Sequence, residues 1–440
     1  QLIKQKVPAE TAPLVEQFAD LLYSNISTLD LAHRNDSDMY GTTLSLWNSL
    51  NNHQDDKPVI KVFNPQVSKH GWKSSHTVIE IIIKDMPFLV DSIRIALSRL
   101  GLTPHLMINS PIKLIRDKTN NITELSAASD KDINSTSVET IFFIEIDRQS
   151  EQKTLDNIEK ELRSVLSDIS ITVDDWEAMK SRLKSVIAET TKAKTPCSKN
   201  EKDNSLAFLK WLLDDNFTLL GYRSYDVKTL KGDMALAANV DTSLGLMKRS
   251  SGTQKRLLSS LSESAREIAL GDNLLILTKT NSRSRVHRPA HLDYIGVKRF
   301  DEKGNVIGEE RFVGLFGSAY YTNSALDLPL IKSKAKDVCD SSGFANGSHA
   351  YKTLINILET YPRDEILQSS TKELLANVLG ILRMQERDYS GLFIRRDAFN
   401  RFYSCMVYVP RERYNTALRV KTQKLLAEAF GSDQEVEFTT

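Results

Sequence analysis

The stretch from His76 to Gly101, HTVIEIIIKDMPFLVDSIRIALSRLG, decides the fold. His76 to Lys84 is a β-branched apolar run suited to a strand buried on both faces. The run stops at Asp85-Met86-Pro87, and a helix follows at once. Pro87 stands near the first helical position, Asp85 is a candidate N-cap, Leu89, Ile93, Ala96 and Leu100 repeat at helical spacing, and Gly101 terminates the series. A buried strand feeding an amphipathic helix is the opening of a layered α+β domain.

Working outward, two further strands are expected at Thr103 to Arg116 and Val138 to Asp147, with the polar Asp117 to Ser137 placed at a loop tip. Leu155, Ile158, Leu162 and Val165 mark a helix, and Ile169, Ile171 and Val173 alternate as a short strand. The order is βαββαβ, the ferredoxin-like arrangement. A helix with Trp176, Met179, Leu183 and Val186 on one face closes this domain, at 75–192, and Thr191 to Asn204 reads as a linker. Residues 1–74 read as an N-terminal helical extension, with Leu14, Phe18, Leu21 and Leu22 on one face.

The middle region, 203–327, has a helix holding Leu206, Leu209 and Leu212, a strand at Phe217 to Asp226, and helical material that includes Gln254 to Ala269. Strands at Asn273 to Thr280, Asp293 to Phe300 and Val306 to Phe316 follow, the last two joined as a hairpin by Asp301 to Asn305. A sheet interrupted by helices is similar to a PAS-type sensor domain. Residues 328–387 read as a connector of three helices, broken at Gly343 and Gly347 and again at Pro362. Residues 388–440 read as the start of a second α+β module: strands at Tyr389 to Arg396 and Arg401 to Val409, a helix from Arg411 to Phe430, and a last strand near Glu435 to Phe438. The expected class is α+β throughout.

Composition narrows the function. Lys plus Arg, at 58, balances Asp plus Glu, at 57, so no overall field draws the chain to nucleic acid or an anionic membrane. No apolar stretch reaches the roughly 20 residues of a membrane span, and no basic-then-apolar leader opens the chain. Cys197, Cys339 and Cys405 are too scattered for a CxxC motif or a disulfide framework, which fits a reducing cytoplasm. Gln1 in place of Met suggests a trimmed chain.

Cofactor and nucleophile motifs are missing from the sequence. The eighteen glycines are never two apart, which excludes G-x-G-x-x-G, and no pair has the P-loop spacing. His287 and His291 have the i,i+4 spacing of a zinc helix, but Pro289 lies between them, so no metal site is expected. There is no G-x-S-x-G elbow.

Two places could hold a ligand. At the turn Asp85, Met86, Pro87, Phe88 and Asp91, free N–H groups and the positive end of the helix dipole suit a carboxylate, as of an amino acid. The plainer reading is that Asp85 caps the helix while Pro87 and Phe88 start and pack it. The second place is Lys279, Arg283, Arg285, His287 and Arg288, where Arg283, Arg285 and His287 would share one face of a strand and meet an anion or a neighbouring subunit. A solvated, charge-protected edge explains that stretch as well. Tyr320, Tyr321, Arg395, Arg396, Arg401, Arg411 and Arg413 are candidate interface anchors. A hydrolase or transferase site built on His76, Asp85 and Asp91 has only proximity in its favour.

Three long stretches resemble the large bacterial NAD-specific glutamate dehydrogenases: Ser284 to Lys298 (SRVHRPAHLDYIGVK), Gly347 to Glu365 (GSHAYKTLINILETYPRDE) and Phe393 to Thr416 (FIRRDAFNRFYSCMVYVPRERYNT). The Asp85 to Asp91 turn also resembles the first strand-to-helix turn of the ACT modules in that family's N-terminal portion. Many amino-acid-binding ACT modules have Gly after the Pro, where this chain has Phe88. The resemblance implies an ACT-like first domain, a truncated ACT-like second one at 388–440, and a non-catalytic regulatory and oligomerisation segment of a cytoplasmic homo-oligomer. The parent reaction it implies oxidises L-glutamate to 2-oxoglutarate and ammonium, with the catalytic residues and NAD in a downstream domain. The partners implied are the chain itself, that domain and an amino-acid effector. The alternative is a free-standing ACT/PAS-type sensor acting on a separate protein, and a Rossmann fingerprint beyond Thr440 would discriminate between the two.

Overall fold

The computed structural model describes residues 1–24, 26–27, 34–53, 57–130, 137–230, 232–251, 256–384, 389–432 and 436–439. The chain divides into two compact units: Gln1–Trp176 with Leu244–Leu246 and Ser282–His291, and Glu177–Ser243 with Met247–Asn281 and Leu292–Thr440.

The main elements of the first unit are α1 (Ala12–Tyr23), α2 (Asp36–Asn51), β1 (Val59–Phe63), β2 (Thr77–Lys84), α3 (Leu89–Arg99), β3 (Pro104–Arg116), β4 (Ile122–Ala127), β5 (Ser137–Ile146) and α4 (Gln152–Asp174). The strands form one sheet in the order β1-β2-β5-β3-β4, antiparallel at every join. Val78, Ile82, Ile141 and Phe143 enter a core with Val15, Phe18 and Leu22 of α1 and Leu46, Trp47 and Leu50 of α2. Strand alternation sends Ile79, Ile81, Phe142 and Ile144 to the opposite face, where they are equally buried. α4 packs against β1 and α3.

Three expectations for this unit fail. Ile169, Ile171 and Val173 are helical, because α4 runs unbroken to Asp174 and the fourth strand of the expected βαββαβ order does not form. The buried series Leu155, Ile158, Leu162, Val165, Ile169 and Thr172 keeps helical spacing through the region, and no Gly or Pro interrupts it. The edge place beside β2 is taken by β1, from the stretch read as a helical extension. Residues 117–137 are also more than a loop tip. Asp117 accepts from the backbone N–H groups of Thr119 (2.8 Å) and Asn121 (2.9 Å), closing a turn that returns the chain as β4 on β3.

A polar joint ties the end of α2 to this sheet. His53 Nδ1 lies 2.9 Å from Glu139 Oε2 and Nε2 lies 2.7 Å from the Lys57 carbonyl, while Arg116 holds the other Glu139 oxygen at 3.2 Å. A carboxylate and a carbonyl can only accept, so both ring nitrogens must donate and the imidazolium is the form that fits. The Glu139 bond accordingly raises the His53 pKa against the opposing effect of burial. Because the folded-state value lies above the unfolded one, the joint stabilises fully below about pH 6.5 and is lost as pH rises through the raised value. Urea midpoints across that range should fall with pH more steeply in the wild type than in His53→Leu, and parallel slopes would refute the charged joint.

In the second unit, α5 (Trp176–Lys192, from Glu177 onward) and α6 (Lys199–Trp211) precede β6 (Phe217–Leu230), β7 (Asp233–Gly245), β8 (Arg256–Leu257), α7 (Glu263–Leu270), β9 (Leu275–Arg283), β10 (His291–Phe300) and β11 (Val306–Phe316). They make a six-stranded sheet in the order β8-β7-β6-β11-β10-β9. The β10–β11 hairpin forms as expected, with Asp301 accepting from the N–H groups of Lys303 (2.9 Å) and Asn305 (2.8 Å) and Gly304 at φ 86°. The expected linker is shorter, because Ser198 caps α6 through the Glu201 N–H at 3.2 Å. β7 was not foreseen. Gln254 lies outside the described residues, and helix in 254–269 begins only at Glu263.

The connector holds four helices rather than three: α8 (Ile331–Ser341), α9 (His349–Thr360), α10 (Arg363–Gln368) and α11 (Thr371–Met384), with Pro362 at the N-cap of the short α10. Next come β12 (Gly391–Arg396), β13 (Tyr403–Tyr408) and α12 (Thr416–Phe430), while 436–438 form no strand. One buried cation fixes the connector: Lys334 Nζ donates to the carbonyls of Ile366 (2.9 Å), Leu367 (2.9 Å) and Ser369 (2.7 Å), closing the end of α10. Burial pushes its pKa down to about 8. Replacing it in Lys334→Met strands three carbonyls and should cost about 2–4 kcal/mol in urea unfolding. A loss under about 0.5 kcal/mol, the level of an ordinary surface change, would show that the amine does not hold the helix end.

Candidate functional site

The turn after β2 opens a cleft of about 160 Å³ lined by Asp85, Met86, Phe88, Leu89, Val90, Asp91, Asn109, Pro111, Thr140 and Phe142. That volume is below the roughly 300–1,000 Å³ of drug-sized ligand sites, so only a small molecule fits. The floor comes from β3 and β5 and the rim from the first turn of α3, whose leading N–H groups have no partner within the helix. Carboxylates at Asp85 and Asp91, the Asn109 amide and the helix terminus thus present both signs of partial charge to one small space.

Asp85 does not cap α3. Its Oδ1 accepts from Thr140 Oγ1 at 2.5 Å and its N–H donates to the Val138 carbonyl at 2.8 Å, so the residue is held by β5. The N-cap position belongs to Phe88, with no side-chain cap and a left-handed backbone at φ 75° and ψ −1°. A bulky residue there carries strain of about 1–3 kcal/mol, which its surroundings must offset. Phe88 therefore keeps the backbone geometry that glycine favours and is one of the residues lining the cleft. Met86 Sδ receives the Ser170 hydroxyl at 3.9 Å, and Pro87 is exposed beside the cleft.

The basic stretch is not one strand face. β9 ends at Arg283, and the chain then turns, with the Ser284 N–H donating to the Ala290 carbonyl at 2.8 Å. Arg283 donates to the Pro289 carbonyl at 3.2 Å. Arg285 pairs with Glu161 at 3.0 Å and Asp168 at 3.5 Å on α4, and donates to Ser164 Oγ at 3.2 Å. His287, at φ 73°, rests its ring 5.1 Å from that of Phe88 and donates its N–H to Ser92 Oγ at 3.1 Å. Burial and the neighbouring Arg288 lower the His287 pKa, with Asp91 opposing them. The alternation of Arg283, Arg285 and His287 fails because it needs extended backbone, which the His287 conformation breaks. Lys279 lies on β9, paired with Asp293 (2.7 Å) and Asp364 (3.0 Å).

The remaining candidates are mostly committed internally. Tyr320 is buried and stacked on Phe316 with centroids 4.0 Å apart, whereas Tyr321 is exposed. Arg395 makes a two-pronged pair with Glu365 at 2.7 and 2.8 Å, and Arg401 pairs with Asp397 at 3.0 Å. Arg396 and Arg411 are exposed. His76 and Asp85 flank the eight residues of β2 at opposite ends, about 30 Å apart at roughly 3.3 Å per residue, which ends the hydrolase reading. Among the described residues no group of three or more His, Cys, Asp or Glu could hold a metal ion, and no helix is long and apolar enough to cross a membrane.

Asn109, Thr140 and Ser92 went unforeseen as site residues. Asn109 and Thr140 left no distinctive signal, since β3 and β5 carry several other polar residues, among them Ser110, Glu139 and Glu145.

The first unit is thus an α+β domain with a small cleft at a strand-to-helix turn. Comparison with known families agrees: residues 18–162 match the glutamate dehydrogenase ACT1 domain, 328–387 its helical motif 1, and 391–440 its ACT2 domain. The chain is 36% identical over 429 residues to the NAD-specific glutamate dehydrogenase of Halomonas elongata, covering 97% of this chain and 26% of that protein. It is also 36% identical over 441 residues to the enzyme of the same name from Pseudomonas aeruginosa (100% and 27%), and 26% identical over 365 residues to that of Mycobacterium tuberculosis (82% and 21%). The chain belongs to the NAD-specific glutamate dehydrogenase family, as a segment that carries ACT domains. It spans about a quarter of the length of these relatives.

Proposed function

We propose that this chain is the regulatory and assembly segment of a large NAD-dependent glutamate dehydrogenase, and that its effector is a small amino acid taken up at the Asp85 to Asp91 cleft. The observation that carries the proposal is the pairing, within about 160 Å³, of a helix N-terminus suited to a carboxylate with Asp85 and Asp91, suited to an ammonium group. Glutamate oxidation, with NAD, takes place in a part of the parent enzyme outside residues 1–440, in a cytoplasmic homo-oligomer. The match of residues 18–162 and 391–440 to the ACT domains of glutamate dehydrogenases supports a sensing role. Support also comes from the commitment of Arg285, Arg395 and Arg401 to internal carboxylates, which gives these arginines a structural role within the chain.

Thermal unfolding of the chain with each of the common amino acids checks the proposal. At about 100 Kd a ligand of the folded state adds roughly 2.7 kcal/mol and raises the melting temperature. Small amino acids should do so, and Asp91→Asn should abolish the rise by removing the ammonium partner. In the parent enzyme, deleting residues 1–440 should remove the effector response and lower the oligomeric mass. An enzyme unchanged in both respects would refute the proposal.

A further inference from the structure

We infer that Phe88 and His287 form a latch: the ring of Phe88 either rests on His287 or yields its place to a ligand, so occupancy of the cleft releases the turn at 284–290. The inference rests on the amino-acid reading of the cleft and adds how the site reports its occupancy.

Six described non-glycine residues have positive φ: Phe88, Asn120, Asp215, His287, Leu330 and Asn400. Asn and Asp adopt this conformation readily, which sets Phe88, His287 and Leu330 apart. Two of these three touch, with ring centroids 5.1 Å apart and planes tilted by 45°. Unusual backbone at contacting residues persists only where the surroundings over-determine it.

The surroundings here are specific. The turn at 284–290 is rigid in itself: Ser284 Oγ donates to the Val286 carbonyl at 2.6 Å, the Arg288 N–H donates to the same carbonyl at 3.0 Å, and Val286 is fully buried. Its residues reach both α4 and α3. Arg285 grips Glu161 and Ser164 on α4, while His287 meets the start of α3 through the Ser92 hydroxyl and the Phe88 ring. Phe88 is thus a wall of the cleft on one side and a seat for the turn on the other.

A cleft of about 160 Å³ takes the backbone of an amino acid, and a side chain directed at Phe88 needs the place of its ring. The displaced ring cannot keep its contact with His287. Ligand and latch therefore compete, and linkage requires that breaking the latch tighten the ligand by the same factor by which the ligand weakens the latch. The glycine found after the proline in many related turns has no ring to displace and so forms no latch.

Hydrogen exchange and calorimetry on the full chain test this with two probes, glycine and L-glutamate. His287→Gly, which suits the left-handed backbone while removing the ring, should tighten L-glutamate by about fivefold to tenfold, a factor typical of coupled sites, and leave glycine unchanged. L-glutamate should accelerate exchange of the 285–290 amides in the wild type. Without any ligand, Phe88→Gly should accelerate the same amides severalfold, while Phe88→Tyr should leave them near wild type. Unchanged 285–290 exchange in Phe88→Gly overturns the latch. Acceleration in Phe88→Gly with no binding of either amino acid overturns instead the amino-acid reading on which the inference rests.

Discussion

The first unit depends on the pairing of β2 with β5. Thr77 through Lys84 pair with Ile146 back through Glu139, and seven of these eight β2 residues are buried. With isoleucine and valine on both faces, the apolar pattern alone does not fix the register, because a slip by one residue would exchange one apolar face for another. The buried polar side chains fix it. Thr77 reaches Asn64 and Gln149, Glu145 meets Arg34, Glu139 meets His53 and Arg116, and Thr140 meets Asp85. Any slip would strand all of them at about 1–3 kcal/mol each, a larger total than the difference between two packings of similar isoleucines.

Two of these polar residues, Asp85 and Thr140, also line the cleft. Thr140 serves both roles: its hydroxyl pins Asp85 at the strand end and stands among the residues lining the space below α3. Asn109, on the neighbouring β3, lines that space as well. A register defined by polar pins leaves some of them facing an opening at the sheet's end. The site therefore follows from the requirement for a unique register, and needs no element of its own.

Much of this was legible in the sequence, and the failures have physical causes. β2, α3, β3, β5 and the β10–β11 hairpin could be read because local propensity and burial agree there. Ile169 to Val173 misled because a five-residue alternation also fits one face of a helix when neighbours at i−3 and i−4 are apolar. β1 was hidden in a polar neighbourhood, although VIKVF is itself β-branched. β7, ending ANVDTSLG, lacks the apolar alternation of a half-buried strand and is held by its neighbours in the sheet. The strand-to-helix turn after Lys84 was legible, but the roles of the residues within it were not. Nothing local says that Thr140, 55 residues away, will claim the Asp85 carboxylate and so leave α3 to start from a left-handed Phe88.

The three stretches that carry the family resemblance acquire a physical meaning in the second unit. Asp293, Asp364 with Glu365, and Arg395 with Asp397 come one set from each stretch, and β9 joins them. Lys279 binds Asp293 and Asp364, its neighbour Thr278 donates to Asp397 at 2.8 Å, and Arg395 closes on Glu365. Burial pushes the Asp293 pKa up to about 6 even with Lys279 beside it, a measure of how much of its hydration is gone. Removing one member of a buried ion pair typically costs about 3–5 kcal/mol, because the partner's charge is left without compensation. Segments joined this way resist piecemeal substitution, so long motifs can mark a structural joint with no catalysis in it. Recognisable sequence in this half of the chain thus follows from ionic joints between sheet, connector helices and the β12–β13 pair, while the proposed ligand site lies apart from them in sequence, in the short turn after β2.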